Sequence, residues 1–407
     1  MGYSPEIHNL STKFSDTFPQ ISTHARLLLY TYPPILLVLL INIMNVTLLP
    51  ENLINYIPLL NKILPSHSQV PILGNLLLTA GDSGFYIKAT DLEMGTEIKI
   101  PAKIESQGSM TVPGKEFLET INSLPKDKVT ITLEKDLAIV TCRSNRITFN
   151  TIPAGEFPQL YKEKGEKVSD FTREEFLDIF SYLTFSVSTE DARPQLTGVY
   201  IDSRGGSVNF VSTDGYRMSV KEYKQDKKVK KGLIVAVDLL NEVMGLKNDD
   251  SIALYVNDQE NQIFFEVGEV LLLGRMIEGE FPDYERVIPT TAKTTVTFDR
   301  DDLLRNVKLA SVFARDNSNI ATIEISNESI RLHTKAQGVG VGDVVTECKK
   351  EGEDNKISFN IRYLLDLLKT VTEKDVVLKL NSPMEPALFE VKEKSFLHVI
   401  MPIQIED

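Results

Sequence analysis

One phrase occurs twice in this chain and frames the rest of it. Gly279-Glu280-Phe281-Pro282-Asp283-Tyr284 is echoed by Gly155-Glu156-Phe157-Pro158-Gln159-Leu160. Each copy closes a β-rich stretch and is followed by a polar segment and a new helix start. Repetition at domain-sized spacing means that one structural unit is used more than once. A helix start recurs three times, at residues 48–54, 171–177 and 298–304. Thr172 with Glu175 has capping-box spacing, Asp299 is a good N-cap, and Pro50 suits a first turn. A second helix recurs at 114–124, 237–246 and 361–371, with Phe117, Leu240 and Leu364 in matching places. Each block therefore holds two similar halves.

Alternating apolar and polar residues predict strands at 75–80, 85–90, 129–133, 138–143, 199–203 and 207–212. The same pattern predicts strands at 252–256, 263–267, 322–326, 329–334, 376–380 and 388–391. Gly81-Asp82, Gly205-Gly206 and Asn257-Asp258 separate neighbours at hairpin spacing. Helices alternating with hairpins define an α+β class with antiparallel sheets, in three similar domains of two helices each. A half has too little apolar surface to stand alone, so two halves share a core. The polar segments 162–169 and 290–295 set the expected domains at 44–165, 166–291 and 292–407.

Residues 1–43 differ from the rest. They are uncharged from Leu27 to Ile43, close to the lower limit for a membrane span. Pro33-Pro34 splits the run and no small-residue cleavage site follows. The first repeat begins right after Met44, so 1–43 reads as an extension outside the fold, with no membrane role. Two cysteines, Cys142 and Cys348, exclude a disulfide framework and fit a reducing, cytoplasmic setting. The five histidines make no metal-spaced pair, and neither metal nor cofactor is expected.

Catalytic motifs are missing. There is no Walker phosphate loop, no Gly-x-Ser-x-Gly elbow and no His-Glu-x-x-His. Gly338-Val339-Gly340-Val341-Gly342-Asp343 does not match Gly-x-Gly-x-x-Gly and reads as a loop or strand edge. Asp214, in Thr213-Asp214-Gly215-Tyr216-Arg217, has the makings of a general base, with Asp191 as a second acid. Asp-Gly is also a turn pair, and without a positioned partner the turn reading is preferred.

The net charge of −13 argues against a generic nucleic-acid binder. Yet the predicted helices and their ends carry Lys62, Lys115, Lys126, Lys128, Arg173, Lys247, Arg305, Lys308, Arg362 and Lys369. On one helix such charges form only a solvated face. In a ring of repeats they would line one hole, which attracts phosphates without reading bases while the acids cover the outside.

Several motifs resemble one family. They are Pro71-Ile72-Leu73-Gly74-Asn75-Leu76-Leu77-Leu78, Thr90-Asp91-Leu92-Glu93-Met94, Thr213-Asp214-Gly215-Tyr216-Arg217, Phe281-Pro282-Asp283-Tyr284 and Met401-Pro402. In this order, from Met44 to the C-terminus, the chain is similar to the bacterial sliding clamp, the β subunit of DNA polymerase III. The resemblance implies DNA-clamp domains, a head-to-tail homodimeric ring around duplex DNA, loading by an ATP-driven clamp loader, and tethering of polymerase and repair proteins, with no catalysis. It implies a partner-peptide pocket at Leu196, Thr213, Gly215, Tyr216, Arg217, Met218, Pro282, Val287, Ile400, Met401, Pro402 and Ile403. It also implies a subunit interface that brings Ile147 and Phe149 against Val312 and Phe313. The chain departs from the family at Tyr216, where His is common, and at the end Gln404-Ile405-Glu406-Asp407, which replaces a more basic one. Near DNA, His67 replaces a frequent Arg and Pro194-Gln195 a pair that can be aromatic. The rival readings are a clamp-like scaffold that is never loaded and an acid-dependent hydrolase using Asp191 and Asp214.

Overall fold

The protein is described by a computed structural model that covers residues 44–66, 69–190, 192–204, 207–224, 232–247, 251–315, 318–336 and 340–404. The extension 1–43, His67, Asp191, Gly205-Gly206, Gly338-Val339 and the last three residues lie outside the described residues. The chain forms two compact units. One comprises residues 44–89 and 99–158 of the described chain; the other comprises 90–98 and everything from Gln159.

In the first unit a five-stranded antiparallel sheet runs Ala102–Ser106, Asn45–Leu48, Val129–Glu134, Leu137–Cys142, Asn145–Asn150. Asn75–Gly81 pairs with both Gly84–Thr90 and Gly108–Pro113. The helix Gly114–Ser123 buries Phe117, Leu118 and Ile121, the 3–4 spacing that places side chains on one face. The first predicted helix is two pieces, Glu51–Ile54 and Ile57–Ile63. Pro58 explains the break: it has no N–H to donate and its ring obstructs the carbonyl four residues back.

In the second unit Glu166–Thr172 pairs with Ser251–Asn257, which continues through Gln262–Val267 and Val270–Arg275 to residues 94–98. A nine-stranded antiparallel sheet starts with Leu233–Ala236, Gly198–Arg204, Ser207–Thr213 and Arg217–Tyr223. It continues with Phe396–Ile400, Ala387–Val391, Asp375–Leu380, Thr294–Asp299 and Lys349–Gly352. The join between its two halves is Arg217–Tyr223 against Phe396–Ile400, with Arg217 opposite Ile400 and Lys221 opposite Phe396. A four-stranded sheet runs Gly340–Glu347, Ser329–Ala336, Ile320–Ser326, Asn355–Asn360.

The helix starts form as their sequences require. Thr172 Oγ1 accepts from Glu175 N, while the Glu175 carboxylate accepts from Thr172 N at 2.8 Å. Asp299 accepts from Asp301 N and Asp302 N. The helices Arg300–Ala314 and Ile361–Thr370 bury Val307, Leu364 and Leu368 in one cluster with Ile323, Phe359 and Phe389. Both halves of that block share a single core.

Candidate functional site

The candidate peptide groove is built around one turn. Asp214 Oδ1 accepts from Tyr216 N and Arg217 N, both at 2.9 Å, and Thr213 Oγ1 donates to Arg217 O at 2.7 Å. Gly215 takes φ +92°, a value that strains any residue with a Cβ. Asp214 is thus consumed as a turn former: its second oxygen accepts from Arg217 Nε at 3.0 Å. Arg217 has no spare fork either. It donates to Asp366 at 2.7 Å and to Phe185 O at 2.7 Å, and its guanidinium lies 4.6 Å from the Tyr363 ring centre. The arginine ties the turn to the helix Ile361–Thr370.

The C-terminal strand brings the second side. Met401 N donates to Tyr216 O at 2.9 Å, and Ile403 N to Ser358 O at 2.7 Å. Alternate N–H groups therefore pin the tail, and Pro402 between them has none to leave unpaired. Ile400 is fully buried, Met401 is 38% exposed and Tyr216 58% exposed. Met218 is buried with Tyr284 and Val399, beside Phe281 and Ile288. Pro282 and Val287 flank Tyr284 on the exposed side of this segment. Leu196 is buried in the short turn Pro194–Leu196, whose neighbour Arg193 reaches Asp214 O at 3.4 Å. The turn, the tail and the Leu196 loop therefore come together, with exposed apolar side chains at their rim.

Beneath the turn lies a polar chain that the sequence reading missed. Ser186, Ser212 and Ser219 are buried with hydroxyls 2.7–2.8 Å apart, and Ser219 Oγ is 2.8 Å from His398 Nδ1. His398 is fully buried, and among the described residues its Nε2 has no hydrogen-bond partner. Burial, with the Arg217 charge adding to it, pushes the imidazole down to about 3, so it is neutral at physiological pH. Alternation across Phe396–Ile400 was the available signal for an inward His.

The predicted cations mostly lie where helix periodicity puts them. Lys62, Lys115, Lys126, Lys128, Lys247, Arg305, Lys308, Arg362 and Lys369 are exposed. Arg305 is paired with Asp302. Arg173 differs: half-buried, it donates to the carbonyls of Met244 and Leu246, capping the helix Val237–Gly245. Of the proposed interface residues, two sit on a sheet edge and two on the helix Arg300–Ala314. Ile147 and Phe149 are half-buried on the edge strand Asn145–Asn150, and Phe149 meets Phe117 edge-on at 6.0 Å. An open cavity of about 420 Å³ runs beside Ile147, lined also by Glu116, Thr120 and Leu124. Val312 is 55% exposed. Phe313 packs on the edge strand Gly340–Glu347, where a Cβ on Gly342 would come within 3.0 Å of its ring. Among the described residues no group of three or more His, Cys, Asp or Glu is placed to hold a metal, and no helix is long and apolar enough to cross a membrane.

Comparison with known proteins identifies the architecture. Residues 44–161 match the N-terminal domain of the DNA polymerase III beta subunit, 171–283 its central domain and 285–404 its C-terminal domain. The beta sliding clamp of Synechocystis is 28% identical over 376 residues, covering 85% of this chain and 96% of that protein. That of Vibrio cholerae is 27% identical, covering 89% and 100%. The crystal structure of the Thermotoga maritima beta subunit superposes with a TM-score of 0.81 at 26% identity, covering 89% of this chain and all of the other. The C. crescentus beta sliding clamp gives 0.84 at 25%, with the same coverage. The fold is that of a clamp, and an accessory subunit of this kind is not an enzyme. The chain belongs to the DNA polymerase III beta subunit family, the bacterial beta sliding clamps.

Proposed function

We propose that two copies of this chain close head to tail into a ring around duplex DNA, and that the groove at Tyr216 and Met401 tethers polymerase and repair proteins through short linear peptides. The observation that carries the reading is the match of three clamp domains in unbroken order over residues 44–404. The exposed helix cations supply attraction to phosphates, which positions a duplex without reading its sequence. The hold on DNA is then topological, and the net charge of −13 is no obstacle to it. A closed ring needs an ATP-driven loader to open it, and the work is done in the cytoplasm. The domains are 44–165, 166–291 and 292–407. In the groove, Leu196, Met218 and Ile400 form the apolar floor, while Met401 adapts to different side chains.

The test is retention. The full chain is loaded with a clamp loader onto nicked circular DNA, and the complex is isolated by gel filtration. It should stay on the circle and run off within minutes of linearisation. Equal retention on both forms sinks the topological reading. Peptide binding without any loading would instead favour a scaffold that never encircles DNA.

A further inference from the structure

We propose that this groove selects peptides whose apolar anchors are flanked by lysine or arginine, because the wall around the apolar floor is acidic. The inference rests on the reading of the groove as a peptide site. On one side the chain 278–280 runs against the Leu196 loop: a Cβ on Gly279 would lie 3.2 Å from the Gln195 Cβ. Glu278 and Glu280 are both exposed there. Farther along the same segment Asp283 and Glu285 are exposed on either side of Tyr284, which is buried beneath the groove with Met218. The bases nearby are engaged by carboxylates, and one of them, Arg286, offsets Asp283. Arg217 is held between two carboxylates, Asp214 at 3.0 Å and Asp366 at 2.7 Å. Arg193, whose Nη1 would lie 3.0 Å from a Cβ on Gly215, is paired with Glu190 at 3.2 Å. Arg286 is paired with Asp283 at 2.7 Å.

A peptide seated on the apolar floor therefore extends its ends past carboxylates. Such charges act within about a Debye length, roughly 8 Å at physiological salt, so they grade only the residues next to the anchors. An exposed pair at contact distance changes affinity by about two- to fivefold. Two or three together separate basic from neutral flanks by about tenfold. Like charges facing the rim are rejected, so the rim acts on specificity more than on total affinity.

The experiment uses the full chain and three fluorescein-labelled nonapeptides with the same Leu-Leu-Phe centre, flanked by lysines, serines or glutamates. Anisotropy at 50 mM NaCl should rank them lysine, serine, glutamate, with about tenfold between the first two, narrowing to about twofold at 300 mM as screening rises. The double variant Glu280→Lys, Glu285→Lys, checked by an unchanged melting curve, should erase or invert the order. A protein of this net charge attracts any cationic peptide, so Met401→Asn, which removes the apolar contact and leaves the charge unchanged, is the control for location; it should remove binding of all three. Lysine-peptide binding that survives Met401→Asn unchanged overturns the proposal, because the attraction then lies elsewhere. Equal, salt-independent affinities overturn the charged rim and leave the groove standing. Failure of all three peptides to bind overturns the groove itself.

Discussion

Gly215 and Leu92 occupy the same place in two copies of one turn, and the contrast shows what the groove requires. Thr90 Oγ1 donates to Met94 O at 2.8 Å and Asp91 Oδ1 accepts from Glu93 N and Met94 N, as Thr213 and Asp214 do in the other copy. Leu92 takes φ +81° and exposes its side chain. At the groove copy a glycine leaves room for the Arg193 guanidinium. Gly215→Ala should cost about 1–2 kcal/mol in urea denaturation, the penalty of a left-handed Cβ, and weaken peptide binding by displacing Arg193. His398 gives the pH dependence. Its folded value, about 3, lies below the unfolded value near 6.5, so the unfolded chain takes up a proton that the folded chain refuses. Stability from this group is complete above pH 6.5 and falls as pH drops from there towards 3, by up to about 1.4 kcal/mol per unit. Urea midpoints at pH 7.5 and 5.0 should therefore differ less in His398→Asn than in the parent, and an unchanged difference would count against it. The Asp-Gly turn was legible because its chemistry is local. The commitment of Arg217 to Asp366 was not, since 149 residues separate the partners.

At the scale of elements, helix starts were readable and the joining strands were not. Thr172, Glu175 and Asp299 act on backbone groups two or three residues away, so their spacing alone predicts their bonds. Arg217–Tyr223 carries no such pattern. Ser219 and Lys221 look like a solvent face, yet both are buried at the centre of the nine-stranded sheet. Their partners come from distant chain: His398 for Ser219, and Asp178 with Lys394 O for Lys221. Asp178 accepts from both lysines, Lys221 at 2.8 Å and Lys394 at 2.7 Å. Burial pulls its carboxyl up, but the two ammonium groups outweigh that and hold it below the usual range. Burial pushes Lys221 down despite Asp178. Asp178 is thus the centre of the clasp, and the two substitutions should differ. Lys221→Met leaves Asp178 paired with Lys394 and should cost little. Asp178→Asn strands a buried ammonium and should cost about 2–3 kcal/mol, discounted from the value for a fully buried pair because this carboxylate is partly exposed. Chemical denaturation of the two variants side by side decides it, and equal costs would remove Asp178 from the centre.

At the scale of the whole molecule, the repeated Phe-Pro phrase and three helix starts disclosed the number of domains, because duplicated units keep their local signals. They carried no information on where one copy of the chain meets another. Two sheets end in exposed edges, at Asn145–Asn150 and at Gly340–Glu347, and apolar side chains gather beside both. An open apolar edge invites pairing unless something covers it. In the proposed ring Ile147 of one copy faces Val312 of the other, and the arrangement occurs twice. Ile147→Glu and Val312→Lys should each give monomers of 45.7 kDa by light scattering. Mixed together they should form a dimer of about twice that mass. One contact in the mixture joins glutamate to lysine, and the other joins the unaltered Val312 of the first variant to the unaltered Ile147 of the second. A contact joining like patches offers no such rescue, because in the mixed pair glutamate would meet the unaltered Ile147 and lysine the unaltered Val312. Mixtures that remain monomeric, while each variant keeps its native circular dichroism, would refute head-to-tail closure through these residues.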